Sequence, residues 1–277
     1  MQDTTMQAMP EFSRKSLMLG AGIGLLALAT GCARTGTAPV PAPTTSPAAP
    51  HWEYAGATGP EEWGTLSPSY GSCQTGTEQS PVDLKGGNRR GTSPGHQGIE
   101  LRYQAAEAEV HNNGHTVELR SLAPQAMVLD GQPWTFKQLH FHAPSEHTLD
   151  GVRYEAEFHF VHQSDDGRLA VLGALATEGW DNAAWAAFVD AAAVPGAGSV
   201  APAGAVDFAA LLTGSLDYFA YSGSLTTPPC SENVQWLLLE SPVELGRGQL
   251  DALRAVHADN ARPVQPLNGR DVSVVDQ

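Results

Sequence analysis

The chain has 277 residues and a formal charge of −15, from 15 Lys+Arg against 30 Asp+Glu. So acidic a chain is excluded as a general nucleic-acid binder, which needs basic surface to displace counterions. Hydrophobic residues at 42% exclude a mainly disordered protein, 29 Gly and 20 Pro argue against an all-helical bundle, and three Cys are too few for a small disulfide scaffold.

In chain order, the first feature is a delivery signal. Arg14 and Lys15 precede an uncharged apolar run, Leu17 to Thr30, broken by Gly20, Gly22 and Gly24. That run is too short and too glycine-rich for a membrane span and suits a signal h-region. Ala29-Thr30-Gly31-Cys32 resembles a bacterial lipobox, with Ala29 where Leu is usual. Ser13-Arg14-Lys15 resembles a twin-arginine signal with Lys in second place. The expectation is a lipoprotein-type signal peptide over 1–31, Cys32 as the lipidated first residue, and an exported chain held at the cell envelope. The plainer reading is an ordinary cleaved secretory peptide with Cys32 incidental. Residues 32–50 carry Pro39, Pro41, Pro43, Pro47 and Pro50 among Ala and Thr, an extended tether with nothing to bury. The folded unit is then 51–277, of a length that suits one β-rich domain.

Within it, short apolar runs recur between turn signals. Ile99–Tyr103, Thr116–Arg120, Ala126–Leu129, Phe136–His142, Tyr154–His162, Ala170–Ala176, Asp217–Tyr221 and Val234–Leu239 read as strands. Asp130-Gly131, Asp150-Gly151 and Asp166-Gly167 read as turns. The Ala-rich Asp181–Ala193 and the stretch Gln249–Asp259, with Leu250, Leu253 and Val256 spaced by three, read as helices. The expected architecture is a predominantly β single domain, one large sheet with a few short peripheral helices.

The histidines carry the chemistry. His140 and His142 stand two apart on a strand, so their imidazoles share a face. His159 lies on another strand, beyond a turn-rich connection, and antiparallel pairing would bring three imidazoles to one point. Three neutral nitrogens with a fourth position open is the pattern of catalytic zinc. Gln138 and Glu157 each precede a histidine by two and share its face, where a metal-bound imidazole needs an acceptor for its outer N–H. Taken singly, these residues would also fit satisfied core or surface positions.

In order along the chain come His51-Trp52-x-Tyr54, Gly59-Pro60-Glu61-x-Trp63, Gln79-Ser80-Pro81-Val82-Asp83 and Asn112-Asn113-Gly114-His115. Then follow Gln138-Leu139-His140-Phe141-His142, Ser145-Glu146-His147-Thr148 and Glu157-Phe158-His159. Tyr221-x-Gly223-Ser224-Leu225-Thr226-Thr227-Pro228-Pro229-Cys230 and Arg262-Pro263-Val264-Gln265-Pro266-Leu267-Asn268 complete the series. Together these blocks closely resemble the α-class carbonic anhydrases over nearly all of 51–277, and Ala143-Pro144 after His142 resembles the bacterial branch.

The resemblance implies a mostly antiparallel twisted sheet of about ten strands. It implies zinc on His140, His142 and His159, with Gln138, Glu157 and the main chain near Asn260 behind them. The implied reaction is reversible hydration of CO2 to bicarbonate and a proton, by attack of hydroxide generated at the zinc. Thr226 would be the gatekeeper, donating to Glu146 and accepting from the nucleophile, and Thr227 would help hold bicarbonate. Val161, Val171, Leu225 and Trp236 would form the apolar wall for CO2. His115 would be the proton shuttle, with Tyr54, Asn112 and Asn113 ordering its water chain. Glu118 stands where many members have Asn or Gln, and a carboxylate there would raise the shuttle's pKa or bind its imidazolium. His111, His147 and His162 fall outside the ligand pattern, with His147 expected as a buried structural residue. Cys73 and Cys230 match a disulfide of exported bacterial members, which leaves Cys32 for lipid. Two other readings of the same fold are a non-catalytic binding protein and an envelope metal-buffering lipoprotein. The first would have lost ligands and the second would carry extra His/Asp tracts; neither feature is seen in the sequence. No partner is expected beyond the small-molecule substrate and a membrane reached through the N-terminal anchor.

Overall fold

A computed structural model of the chain describes residues 50–85, 98–194 and 196–277. The expected signal peptide, Cys32 and all but the last residue of the expected tether lie outside the described residues. The strands, in chain order, are β1 (Asp83–Leu84), β2 (Ile99–Arg102), β3 (Ala105–Asn112), β4 (Val117–Ser121), β5 (Ala126–Leu129), β6 (Gln132–His142), β7 (Thr148–Leu149) and β8 (Val152–Arg153). They continue with β9 (Ala156–Gln163), β10 (Leu169–Gly179), β11 (Val200–Asp207), β12 (Tyr218–Ser224), β13 (Glu232–Leu239), β14 (Val243–Gly246) and β15 (Ser273–Val275). The α-helices are α1 (Trp63–Leu66), α2 (Ser72–Thr75), α3 (Ala186–Ala192) and α4 (Arg247–Val256).

Twelve strands form one sheet along the path β11-β3-β4-β6-β9-β10-β13-β12-β15, with β14 on β10 and β2 and β5 extending from β6. β10 pairs in parallel with β13 and β14, and the other pairs of this sheet are antiparallel. A small second sheet is β1-β7-β8. Each strand read from the sequence exists, displaced by a few residues at its ends. β3 and β11 were not expected. β3 alternates Ala106, Ala108 and Val110 with Glu107, Glu109 and His111, and alanine conceals the apolar side of that period. β11 carries Pro202 and Gly204 and lies at the sheet's edge, where proline removes no ladder bond. The expected Ala-rich helix is in two parts, a 3-10 turn Ala183–Trp185 capped by Asn182 and then α3.

The two faces of the sheet do different work. Leu139 and Phe141 of β6, Phe158 and Phe160 of β9, and Leu172 and Ala174 of β10 pack with Trp185 and Phe188 and with Leu250 and Leu253 of α4. The intervening residues, Gln138, His140 and His142 of β6 and Glu157, His159 and Val161 of β9, lie on the opposite face. A bulge between Phe136 and Gln138 sets this division. Phe136 is in the core, and the extra residue re-aims the strand so that Gln138 and the two histidines face the other way.

One histidine, His162, is buried in the core face. Its Nε2 meets the Tyr103 hydroxyl at 2.7 Å, and Phe136 packs on its ring. Burial pushes its pKa down to about 4. An unfolded chain protonates this imidazole near pH 6.5, so stability contributed by the neutral form falls as pH drops from about 6.5 to about 4, by up to about 3 kcal/mol. The H162Q variant is expected to lose correspondingly less stability over that window. Urea unfolding of both proteins at the two ends checks this, and equal losses would refute it.

Candidate metal centre

His140 and His142 on β6 face His159 on β9, with His140 directly opposite His159 in the antiparallel register. One ring nitrogen of each lies within 4.8 Å of the others. The outer nitrogens all face oxygen acceptors. His140 Nδ1 meets Gln138 Oε1 at 2.8 Å, His142 Nδ1 meets the Asn260 carbonyl at 2.6 Å, and His159 Nε2 meets Glu157 Oε1 at 2.7 Å. Each outer nitrogen therefore carries its hydrogen, and each inner nitrogen presents a lone pair. His140 Nε2 and His159 Nδ1 stand 3.2 Å apart, and His142 Nε2 is buried with no hydrogen-bond partner. Two lone pairs at that separation repel unless a cation lies between them. Burial pushes all three imidazoles below their ordinary pKa, His142 to about 4, so all are neutral near pH 7. This donor set fits a soft or borderline divalent metal with an open position.

Glu157 is the hub behind the triad. One oxygen accepts from His159 Nε2 and from His147 Nδ1, each at 2.7 Å. The other accepts from the main-chain N–H of Glu146 at 2.9 Å and of His147 at 2.8 Å. Although burial alone would raise its pKa, the two imidazoles and these hydrogen bonds hold the carboxyl well below the ordinary range. His147 passes on to the Tyr221 hydroxyl at 2.6 Å, and Tyr221 to Ser80 Oγ at 2.8 Å. Ser80 and Ser224 exchange main-chain to side-chain bonds of 2.9 and 3.1 Å. Gly223 permits this approach, because a Cβ there would stand 2.2 Å from Ser80 Oγ.

Glu146 approaches from the loop after β6. Burial pushes its carboxyl up to about 7, against the Arg262 main chain and the nearby Thr226 side chain, which favour the charged form. Oε1 accepts from Arg262 N at 2.8 Å, and Oε2 lies 3.4 Å from His142 Nε2. Thr226 and Thr227 belong to the loop after β12, closed by a Cys230 N–H to Thr227 carbonyl bond of 2.8 Å. Cys230 is joined to Cys73 across 157 positions. Closing so long a loop stabilises by about 5 kcal/mol at most in the chain-entropy account. Val161, Val171 and Trp236 lie in one row across β9, β10 and β13, and Trp236 donates from Nε1 to the Ser224 carbonyl at 2.9 Å. With the partly buried Leu225 they form a second apolar cluster on the triad's side of the sheet, and the Trp236 ring stands 4.9 Å from His159.

A cavity opens beside the triad, lined by Trp52, Tyr54, Asn113, His115, Thr116, Glu118, Gln138, His140, His142 and Thr227. His115 stacks on Trp52 with centroids 3.7 Å apart, and burial pushes its pKa down. Tyr54 packs edge-on to His142, and burial, with Glu146 adding to it, keeps its phenol protonated. Two expectations need correction. Asn112 does not line the cavity: its side chain is buried, accepting from Gly114 N at 2.9 Å and donating to the Val194 carbonyl at 3.2 Å. Glu118 does not raise the pKa of His115; its carboxylate is taken by Arg120 at 2.6 Å and by Asn113 at 3.1 Å.

Several residues gained no role from sequence. Arg262 is buried, and its guanidinium donates to Gln79 Oε1, the Ser80 carbonyl and the Cys73 carbonyl at 2.8 to 3.0 Å. It thus ties the disulfide-bearing Cys73 to the Gln79-Ser80 segment. Tyr221 and Ser80 belong to the relay described above; His147, expected as a buried structural residue, is buried and joins them to Glu157. Nothing in their spacing marks the contacts of Arg262 and Tyr221, which span between 74 and 189 positions.

A large twisted sheet carrying a buried three-histidine donor set at a cavity is the architecture of a metalloenzyme. The sequence profile of the eukaryotic-type carbonic anhydrases matches residues 58–276, and the chain belongs to this family. It is 40% identical over 225 residues to the carbonic anhydrase of Pectobacterium carotovorum, covering 79% of this chain and 89% of that one. It is 36% identical over 250 residues to the carbonic anhydrase of Nostoc sp., covering 90% and 93%. The structure superposes with a TM-score of 0.77 on the α-carbonic anhydrase of Thermovibrio ammonificans solved with the inhibitor sulfanilamide, at 41% identity over 82% of this chain and all of that one.

Proposed function

We propose that the chain is a zinc-dependent catalyst of the reversible hydration of carbon dioxide to bicarbonate and a proton. The observation that carries this reading is the set of three inner nitrogens, tautomer-locked from behind and convergent beside a cavity. His140 Nε2, His142 Nε2 and His159 Nδ1 would hold the ion. Bound there, zinc supplies a Lewis acid that brings the pKa of water from 15.7 to about 7 and so provides a nucleophile at neutral pH.

The chain's own residues do the rest. The Thr226 hydroxyl has one hydrogen, and giving it to Glu146 leaves only lone pairs toward the cavity. It must then accept a hydrogen from the nucleophile, which fixes the direction of the attacking lone pair. Val161, Val171, Leu225 and Trp236 exclude water and offer an apolar wall to an apolar substrate. Thr227, on the cavity, is placed to hold the product oxygen. His115 takes up the released proton and passes it to solvent; its Nδ1 is without a hydrogen-bond partner among the described residues. Tyr54 and Asn113 line the path between.

Stopped-flow CO2 hydration by the oxidised protein, with zinc content measured alongside, tests the reading. The parent is expected to hydrate CO2 with one zinc per chain. His159→Ala and chelator treatment should abolish the activity, and zinc should restore it to the chelated parent. A zinc-loaded parent without activity would overturn the enzyme reading. A non-catalytic role on this fold has no support from the donor set, which retains all three histidines with Glu146 and Thr226.

We also propose export and lipid anchoring through Cys32, supported by Ala29-Thr30-Gly31-Cys32 and by a disulfide that persists only outside a reducing cytosol. Cells fed labelled palmitate should label the parent and not the C32S variant. Equal labelling, or none in either, would refute lipidation.

A further inference from the structure

The turn that carries His115 is held from outside the cavity, at both of its ends, by the segment that follows α4. Asn260 Nδ2 donates to the His115 carbonyl at 3.0 Å. His257 closes α4, and its Nε2 stands 3.2 Å from Asn112 Oδ1. The orientation of the Asn112 amide follows from its other contacts. Nδ2 donates to the Val194 carbonyl, and Oδ1 accepts from Gly114 N, so Oδ1 is the oxygen facing His257. His257 Nε2 therefore carries the hydrogen and donates it. Gly114 sits at φ 94°, and the next residues are fixed by Asn113 Oδ1, which accepts from His115 N and Thr116 N at 2.9 Å each.

The main-chain carbonyl of Asn260 also holds the ligand His142 at 2.6 Å. One short segment, 257–260, thus grips a metal ligand and the His115 turn together. A proton can cross from the metal side to His115 only if this spacing is kept, and misplacement by about 1 Å can cost on the order of a hundredfold in rate.

We propose that His257 is a positioning residue for proton transfer, holding through Asn112 the turn that carries His115. This rests on the functional reading above, in which His115 exports the proton. His257 is neither one of the three candidate ligands nor among the residues lining the cavity, so the steps up to bicarbonate release do not use it. Those steps set kcat/KM, whereas return of the enzyme to its active protonation state enters only kcat. Burial lowers the pKa of His257, and the nearby His115 lowers it further, which keeps it a neutral donor.

The test is stopped-flow hydration by the zinc-loaded full chain in weak buffer, together with hydrogen exchange at the Gly114 amide. In His257→Ala, kcat is expected to fall about ten- to a hundredfold with kcat/KM unchanged, and added imidazole should restore kcat. Gly114 exchange should quicken by up to about tenfold, the worth of one hydrogen bond. His257→Gln, which retains an N–H donor, should stay near the parent in both readouts. Unchanged kcat and Gly114 exchange in His257→Ala would overturn the inference. So would a parallel fall of kcat and kcat/KM that imidazole does not relieve, which marks a merely structural residue. A parent without hydration activity overturns the functional reading, and this inference with it; an active parent beside an indifferent His257→Ala overturns the inference alone.

Discussion

Replacing Glu157 with alanine is expected to weaken zinc binding about 10- to 100-fold, the usual cost of losing an acceptor behind a metal-bound histidine. The substitution removes an acceptor from four buried donors at once: His159 Nε2, His147 Nδ1, and the main-chain N–H groups of Glu146 and His147. A buried donor left unpaired costs about 1–3 kcal/mol. The loss of stability should therefore reach at least about 4 kcal/mol, more than most single substitutions cost. The loop bearing Glu146 loses its main-chain anchor in the same step, so the effect spreads from the ligand to the gatekeeper. Glu157→Gln keeps the shape and part of the acceptor capacity and should fall between parent and alanine. Zinc titration of the metal-free proteins by calorimetry, with urea unfolding, measures both effects. A zinc affinity within twofold of the parent would show that Glu157 does not orient His159.

The second large effect is expected at Thr226. Thr226→Val removes one hydroxyl with little change of volume and should lower kcat/KM by about 10²- to 10³-fold, the range seen when a single orienting polar group is deleted from an active site. The physical reason is directional. In the proposed arrangement a Thr226 hydroxyl that gives its one hydrogen to Glu146 keeps its oxygen as an acceptor, and valine has nothing to put in its place. Glu146 keeps its bond from Arg262 N, so the carboxyl stays where it is. Zinc content should equal the parent's, since Thr226 belongs to no donor set. Thr226→Ser retains the hydroxyl and should recover most of the rate. Stopped-flow kcat/KM for the three proteins decides the matter. A serine variant as slow as valine would mean that the methyl group, and not the hydroxyl, carries the effect.

The two variants differ in where their costs fall. Glu157 is part of the packed interior, with its oxygens shared among β9, the Glu146–His147 main chain and the triad. Thr226 lies on a loop fastened by the Cys73–Cys230 bridge and by Gln79, which donates to the Cys230 carbonyl. The first change should show in binding and folding, the second in rate alone.

Much of this site could be read from local pattern, because strand geometry is local. Residues two apart on a strand share a face, so His140 with His142, Gln138 with His140 and Glu157 with His159 were legible as aligned pairs before any fold was known. The Asp-Gly turns were legible for the same reason. Asp130-Gly131 and Asp150-Gly151 both take positive φ, which few other residues tolerate. The acidic charge, the apolar run at 17–30 and the proline-rich stretch at 39–50 are read directly from the sequence.

Tertiary structure decided what depends on distant partners. The bulge before Gln138 puts the ligand face opposite the core face, and it exists because β6 must register against β9. Asn112 and Asn113 are adjacent and alike in chemistry, yet Asn112, the last residue of β3, is buried against His257 and the Val194 carbonyl, while Asn113, the first residue of the turn beyond it, lines the cavity. Glu118 sits near His115 in sequence but pairs with Arg120, a competition between neighbours that only side-chain placement resolves. The carbonyl behind His142 comes from 118 positions away, and the guanidinium of Arg262 reaches 189 positions back to Cys73. Sequence determined which groups are chemically able to act; the long-range pairing of strands and loops decided which of them meet.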